Sequence, residues 1–408
     1  MKAEAGMVRR REVVAWAFFD FANSSFTTVM VTVLFPVYFV NALAPSVEVG
    51  QRLWGWGGAV ANGLVVVLGP WLGLWADRAG CKKAFLLGST VVCVGGTVAL
   101  GWISAEAWLW GLGLFVLANV AFLIGENFVA SFLPEISTRE NVGRISSYGW
   151  GIGYVGGLLS LILARQCEDE VWAFVLTGIF FALASLPTFL ILRERGVRRA
   201  ERGGGLNVRA RWDELIRPLK ESGEIRWMLV VFFMISGGLA TVVYFSSIFA
   251  EAELGMGRGE LTVMFMALQF AAILGALVTG WMQDRWGWRV TLIGTLVLWC
   301  GTVVGCYGVR SVEMFYGVAA CAGYGIGGVQ TGVRAALSRF TRGDEAGRVF
   351  GFWGCAGKLA PVVFLPLFSE VASLWSLRGA LIVPLAGFGL GLCLLIIWQP
   401  GKAKQEKG

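Results

Sequence analysis

Four ionisable side chains stand inside long apolar stretches of this sequence: Asp20, Glu126, Arg334 and Lys358. A charge at the centre of a bilayer-spanning helix costs about 2.5–3.5 kcal/mol on insertion scales, so such residues face a cavity or a partner. Two carboxylates and two cations nearly neutralise one another. That set suits a zwitterion, whose carboxylate and ammonium each need an opposite charge. A carboxylate shielded from water suits proton coupling equally well. Polar neighbours extend the set. Asn23 lies three residues from Asp20 and Gln330 four residues from Arg334, so each pair shares a helix face. Asn127 adjoins Glu126 and points elsewhere. Across the repeat described below, Gln330 corresponds to Glu126 and Tyr154 to Lys358. Asp20, Asn23, Glu126, Asn127, Tyr154, Gln330, Arg334 and Lys358 are therefore the candidate contacts for a small-molecule substrate or for a coupling ion, proton or sodium. The competing reading is internal pairing, Asp20 with Lys358 or Glu126 with Arg334, that only ties helices together. For Arg334, snorkelling to the interface is a further option.

The elements that must position these residues are transmembrane helices. Of 408 residues 56% are hydrophobic and only 15% charged, with 57 Gly and 19 Trp, well outside the range of soluble domains. A span needs about 20 mostly apolar residues. Six such segments run over 13–40, 53–75, 84–104, 107–133, 146–164 and 171–192. Six more run over 226–250, 260–282, 289–309, 313–337, 348–370 and 376–398. The expected fold class is an all-α polytopic membrane protein with twelve transmembrane helices in two pseudo-symmetric six-helix bundles. Of the 34 Lys and Arg, 27 fall on the side that holds both ends of the chain, 5 on the other and 2 within helices. By the positive-inside rule both termini are expected in the cytoplasm. The basic balance, net +7, is thus explained by loops facing an anionic membrane surface, and no nucleic acid is implied.

The same composition excludes several chemistries. His is absent, which removes Ser–His catalysis, His-ligated zinc and His proton relays. The eight Cys form no CxxC pair, so neither a metal site nor a disulfide framework is indicated. No P-loop is present. We expect no enzyme activity, no metal and no cofactor.

The polar stretch 193–225 divides the chain into an N-terminal bundle (1–192) and a C-terminal bundle with a short tail (226–408). Its Gly203–Gly205 run reads as a flexible joint and residues 211–221 as a short interfacial helix. The halves are related. Gly73, Asp77, Arg78, Gly80 and Lys82 follow the second span, and Gly280, Asp284, Arg285, Gly287 and Arg289 follow the eighth, both as G-x-x-x-D-R-x-G-x-[KR] at a separation of 207. The starts of spans five and eleven, Gly143-Arg144 and Gly347-Arg348, match at a separation of 204, with Gly153 and Gly357 at the same later offset. Two matches near half the chain length indicate a duplication, a plan in which the substrate site lies near the bilayer midplane at the repeat interface. The loops are read as a conformational latch: Asp77 against the span that starts near Arg348, and Asp284 against Arg144. A fixed staple is the alternative. Glycines at four-residue spacing, Gly149–Gly153–Gly157 and Gly323–Gly327, predict close helix packing. Pro36 and Pro361 lie inside spans and are the hinge candidates.

The repeated loop together with twelve spans resembles the major facilitator superfamily. The stretches 13–39, 126–137, 143–159 and 327–361 more narrowly resemble its vacuole-effluxer-like branch, which includes the autophagy-related vacuolar amino-acid effluxers and bacterial relatives. Around 330–338 the sequence departs from that branch, with TGVRAALSR after Gln330 where a Ser-Arg-Ser-like run is usual. The resemblance implies that spans one, four, seven and ten line the central cavity. It implies a secondary active transporter exporting small solutes such as amino acids by alternating access. A lipid or lysolipid translocase on the same fold is the second function considered. We expect a monomer, multi-pass in the cell (inner) membrane.

Overall fold

The computed structural model describes residues 10–137, 142–194, 216–340 and 346–398, and of a few helical residues within these only the backbone. The chain is almost wholly helical. The first half holds α1 (Arg10–Leu43), α2 (Val47–Ala79), α3 (Lys82–Leu100), α4 (Trp108–Ile136), α5 (Val142–Arg165) and α6 (Glu170–Ile191). The second half holds α7 (Gly223–Leu254), α8 (Arg258–Trp286), α9 (Trp288–Gly308), α10 (Val312–Phe340), α11 (Ala346–Leu374) and α12 (Leu377–Ile397). Among the described residues eleven helices are long and apolar enough to cross a membrane. The twelfth long helix is α5, where Gly and Ser dilute the apolar character. Helices outrun the apolar segments: α2 has 33 residues and α4 and α10 have 29 each. The backbone ladder continues past the point where side chains turn polar. Residues 216–221 are helical, the described part of the short helix expected in the linker; the glycine run lies outside the described residues.

Local chemistry sets the helix ends. Ser46, Asp169 and Ser376 cap the starts of α2, α6 and α12, each accepting a backbone N–H three residues on. Gly80 (φ 61°) ends α2 and Gly287 (φ 82°) follows α8. Both repeated loops thus place their second glycine in the left-handed region, where a Cβ is strained. α1 is irregular. Thr27–Val33 and Phe39–Leu43 are π-helical turns on either side of Phe35–Tyr38. Pro36 lacks an N–H and crowds the carbonyl four residues earlier, so a regular α-ladder cannot run through it. The widened turns take up the mismatch.

The chain forms two compact units. One comprises the described residues up to 194 together with Tyr244–Glu251 and Gly257–Met266, and the other comprises the rest. In the first, α1 packs on α5 and α6, α3 on α4 and α6, and α2 on α4. In the second, α9 packs on α10 and α12, and Trp299 stacks on Phe388 at 4.5 Å. Without a hydrophobic drive between helices in lipid, close approach depends on small residues. Gly323 and Gly327 of α10 sit against the backbone carbonyls of Leu268 and Ala272, and Gly275 of α8 against that of Tyr324. A methyl group at any of these would overlap backbone.

Candidate functional site

On α1, Asp20 is half-buried and directed at α5. A Cβ on Gly149 would overlap its Oδ2, and one on Gly153 would come within 2.9 Å of Ser24 Oγ. Gly156 meets the carbonyl of Phe21. The glycine face of α5 therefore creates the room in which the Asp20 carboxylate sits. Asn23 is 5% exposed, and its Oδ1 finds no donor among the described residues. Trp16, seven residues earlier on the same stripe, donates to the Val129 carbonyl of α4 at 2.8 Å. Tyr154, on α5, is half-buried with its ring 6.3 Å from Trp150.

On α4, Glu126 and Asn127 diverge as adjacent helical residues must. Asn127 is exposed and turns to α2, where a Cβ on Gly69 would lie 3.5 Å from its Nδ2. Glu126 is half-buried and shares a face with Asn119, two turns away. Asn119 was not singled out from sequence. It is 1% exposed and donates to the hydroxyl of Tyr244 at 2.9 Å. Asn62 of α2, 4% exposed, lies beside the same hydroxyl, and Glu126 acts on it electrostatically. Trp54 donates to the Tyr244 carbonyl at 2.8 Å. A buried polar network of Asn62, Asn119 and Tyr244 thus stands on the strip that also carries Glu126. The available signal was an Asn seven residues before Glu126 in an otherwise apolar run.

In the second unit Gln330 and Lys358 are half-buried, and the Arg334 side chain lies outside the described residues. Thr279 and Gln283 of α8 are buried against Gly328 and Gly332 of α10. Among the described residues neither Thr279 Oγ1 nor Gln283 Nε2 has a hydrogen-bond partner.

The repeated loops make contacts inside their own units. Lys82 Nζ is 3.3 Å from Glu135 Oε1. The Glu194 carboxylate accepts the backbone N–H groups of Lys82 and Lys83, and Lys83 Nζ donates to the Leu192 carbonyl at 2.7 Å. Opposite signs at the two helix ends match the two dipoles: a carboxylate at the start of α3 and a cation at the end of α6. In the second unit Arg289 donates to the carbonyls of Leu395, Ile396 and Trp398. Lys83 and Arg289 thus play the same part at pseudo-equivalent corners, and Lys82 pairs with a residue of α4. Asp284 and Arg285 are exposed, with the Arg285 guanidinium 5.8 Å from the Trp281 ring centre. The side chains of Asp77, Arg78, Arg144 and Arg348 lie outside the described residues. A Cβ on Gly73 or Gly280 would meet nothing within 4 Å. Gly73, Lys82 and Asn127 line one cleft between α2 and α4. Among the described residues no group of three or more His, Cys, Asp or Glu is placed to hold a metal ion.

Twelve long helices among the described residues, an internal duplication and charges set within spans define a membrane transporter of the major facilitator type. A D-xylose–proton symporter of known structure superposes with a TM-score of 0.74 at 12% identity, over 97% of this chain and 98% of the symporter, which shows the fold. The chain belongs to the family described as vacuole effluxer Atg22 like, matching it over residues 58–142 and 137–371. It is 24% identical over 377 residues to the uncharacterized MFS-type transporter YxiO of Bacillus subtilis, covering 88% of both chains. It is 25% identical over 315 residues to autophagy-related protein 22 of Yarrowia lipolytica, covering 67% of this chain and 50% of that one. The protein is accordingly a multi-pass transporter and not an enzyme.

Proposed function

We propose that this protein exports small solutes, amino acids foremost, by alternating access coupled to protons. The observation that carries the reading is the half-buried placement of Asp20 on α1 and Glu126 on α4, carboxylates far from either helix end. Charge withdrawn from water is costly, so a carboxylate there faces a cavity or a partner. A substrate ammonium or a proton is such a partner. Lys358 and Arg334 supply the opposite charge for a substrate carboxylate, and Asn23, Tyr154 and Gln330 supply hydrogen bonds. The buried carboxamide oxygen of Asn23 supports its membership, since an acceptor with no donor among the described residues can take one from a ligand. In this reading residues 1–192 and 226–408 are the moving bundles and 193–225 their cytoplasmic linker. The protein sits in the cell membrane as a monomer with both termini inside, as the 27-to-5 distribution of basic residues supports.

The test is release of a labelled amino-acid mixture from proteoliposomes with and without an imposed pH gradient. Gradient-dependent release is expected, and Asp20→Asn or Glu126→Gln should abolish it while leaving thermal unfolding unchanged. Folded wild-type protein that releases no amino acid under either condition overturns the reading.

A further inference from the structure

Where α2 turns into α3, an open cleft of about 110 Å³ separates α2 from α4. Lys82 stands at its head and Asn127 on its side, with Leu72, Ile124 and Phe128 forming an apolar wall. Phe128 is held flat by stacking on Phe85 at 5.3 Å. Gly73 keeps the cleft open, since its Cβ direction meets no atom within 4 Å. Trp71 and Trp75 on the same stretch of α2 are exposed, the position of aromatic residues at a membrane–water boundary.

The charges decide what such a cleft can take. Lys82 and Glu135 form a pair at 3.3 Å, with side chains only 19% and 16% exposed. Beside them Lys83 and Glu194 are engaged with helix ends. Among the described residues here, two cations and two carboxylates give no net attraction for a simple anion or a simple cation. A molecule that carries both signs can exchange each half of the Lys82–Glu135 pair and leave no half-buried charge uncompensated. Asn127 offers both a donor and an acceptor alongside.

We propose that this cleft binds a zwitterion bearing an apolar group. Its oxyanion meets Lys82 and the Asn127 amide, its ammonium meets Glu135, and its apolar part lies on Leu72, Ile124 and Phe128. Two sources supply that chemistry, a free neutral amino acid or the head group of phosphatidylethanolamine. The solute source rests on the exporter reading above and adds a second binding place, distinct from Asp20 and Glu126.

The experiment uses full-length protein in phosphatidylcholine nanodiscs and calorimetric titration with L-isoleucine. Saturable binding is expected, with 3-methylpentanoate and 2-methylbutylamine, which each lack one charge, at least tenfold weaker. Gly73→Leu fills the cleft without touching either charge, and Lys82→Gln removes one; each should weaken binding at least tenfold. In nanodiscs containing phosphatidylethanolamine, retention of that lipid by wild type and its loss from Gly73→Leu in native mass spectrometry would assign the cleft to the lipid source. Isoleucine binding unchanged in both variants overturns the proposal. So does the absence of both isoleucine binding and lipid retention in folded protein. If the cleft variants bind as wild type while release still requires Asp20, the cleft fails and the exporter reading stands. If isoleucine binds in the cleft but no gradient drives release, the reverse holds.

Discussion

Tyr244 is held by donors from two other helices, and its hydroxyl is the acceptor that keeps the Asn119 amide satisfied. Tyr244→Phe removes that acceptor and strands a buried N–H, which costs about 1–3 kcal/mol. Thermal unfolding of the purified protein should show the loss. The double variant Tyr244→Phe/Asn119→Leu should cost less than the sum of the singles, because no stranded group remains. Glycine positions divide in the same way. Gly156→Ala pushes a methyl into the Phe21 carbonyl and should destabilise by about 1–3 kcal/mol. Gly151→Ala, on the same helix with open space around it, should be neutral or stabilising by about 0.5–1 kcal/mol. A comparison of the two melting temperatures checks both predictions, and equal loss would show that the α1–α5 crossing is looser than described.

At the scale of elements, the units are braced at helix ends. Arg289 bonds three carbonyls at the end of α12, groups that an α-helix leaves without internal donors. Arg289→Ala should raise amide exchange in the last turn of α12 severalfold and leave α10 unchanged, as hydrogen-exchange mass spectrometry would report. A second brace lies at the opposite helix ends. Arg378, at the start of α12, pairs with Glu253 near the end of α7 and donates to the Tyr307 and Val309 carbonyls at the end of α9. Arg378→Met leaves Glu253 half-buried beside an apolar group. Because the pair retains some contact with water, the cost should be about 1–2 kcal/mol rather than that of a fully buried pair. Adding Glu253→Gln should recover part of it in a chemical unfolding series, and no recovery would mean that the carbonyl contacts carry the effect.

At the scale of the molecule, the proposed orientation makes a labelling prediction. Ser137 follows α4 and Ser311 precedes α10. In a cysteine-free background, an impermeant thiol reagent added outside cells should label Ser311→Cys and spare Ser137→Cys. The opposite pattern would invert the topology. Duplication also bears on this scale. The two repeated loops both need a left-handed glycine, Gly80 and Gly287, yet they reach their braces with different chemistry. One uses a carboxylate and a lysine from two chain positions, the other a single arginine. The geometry of the corner is what the halves share.

The sequence by itself determined the spans, the repeat, and the close packing of Gly323 and Gly327. These follow from hydropathy and helical periodicity, properties of neighbouring residues. It also marked Asp20, Glu126 and Lys358 as anomalies, since a charge in an apolar run is visible without a fold. Only the tertiary structure decided the partners. Asn119 and Tyr244 are 125 residues apart, and Glu194 and Arg289 look in sequence like any loop charge. Which helix faces meet is set by packing over the whole unit, and no local pattern encodes it. The cleft between α2 and α4 belongs to the same class: its charges were legible one by one, but their arrangement around a space exists only once the helices are assembled.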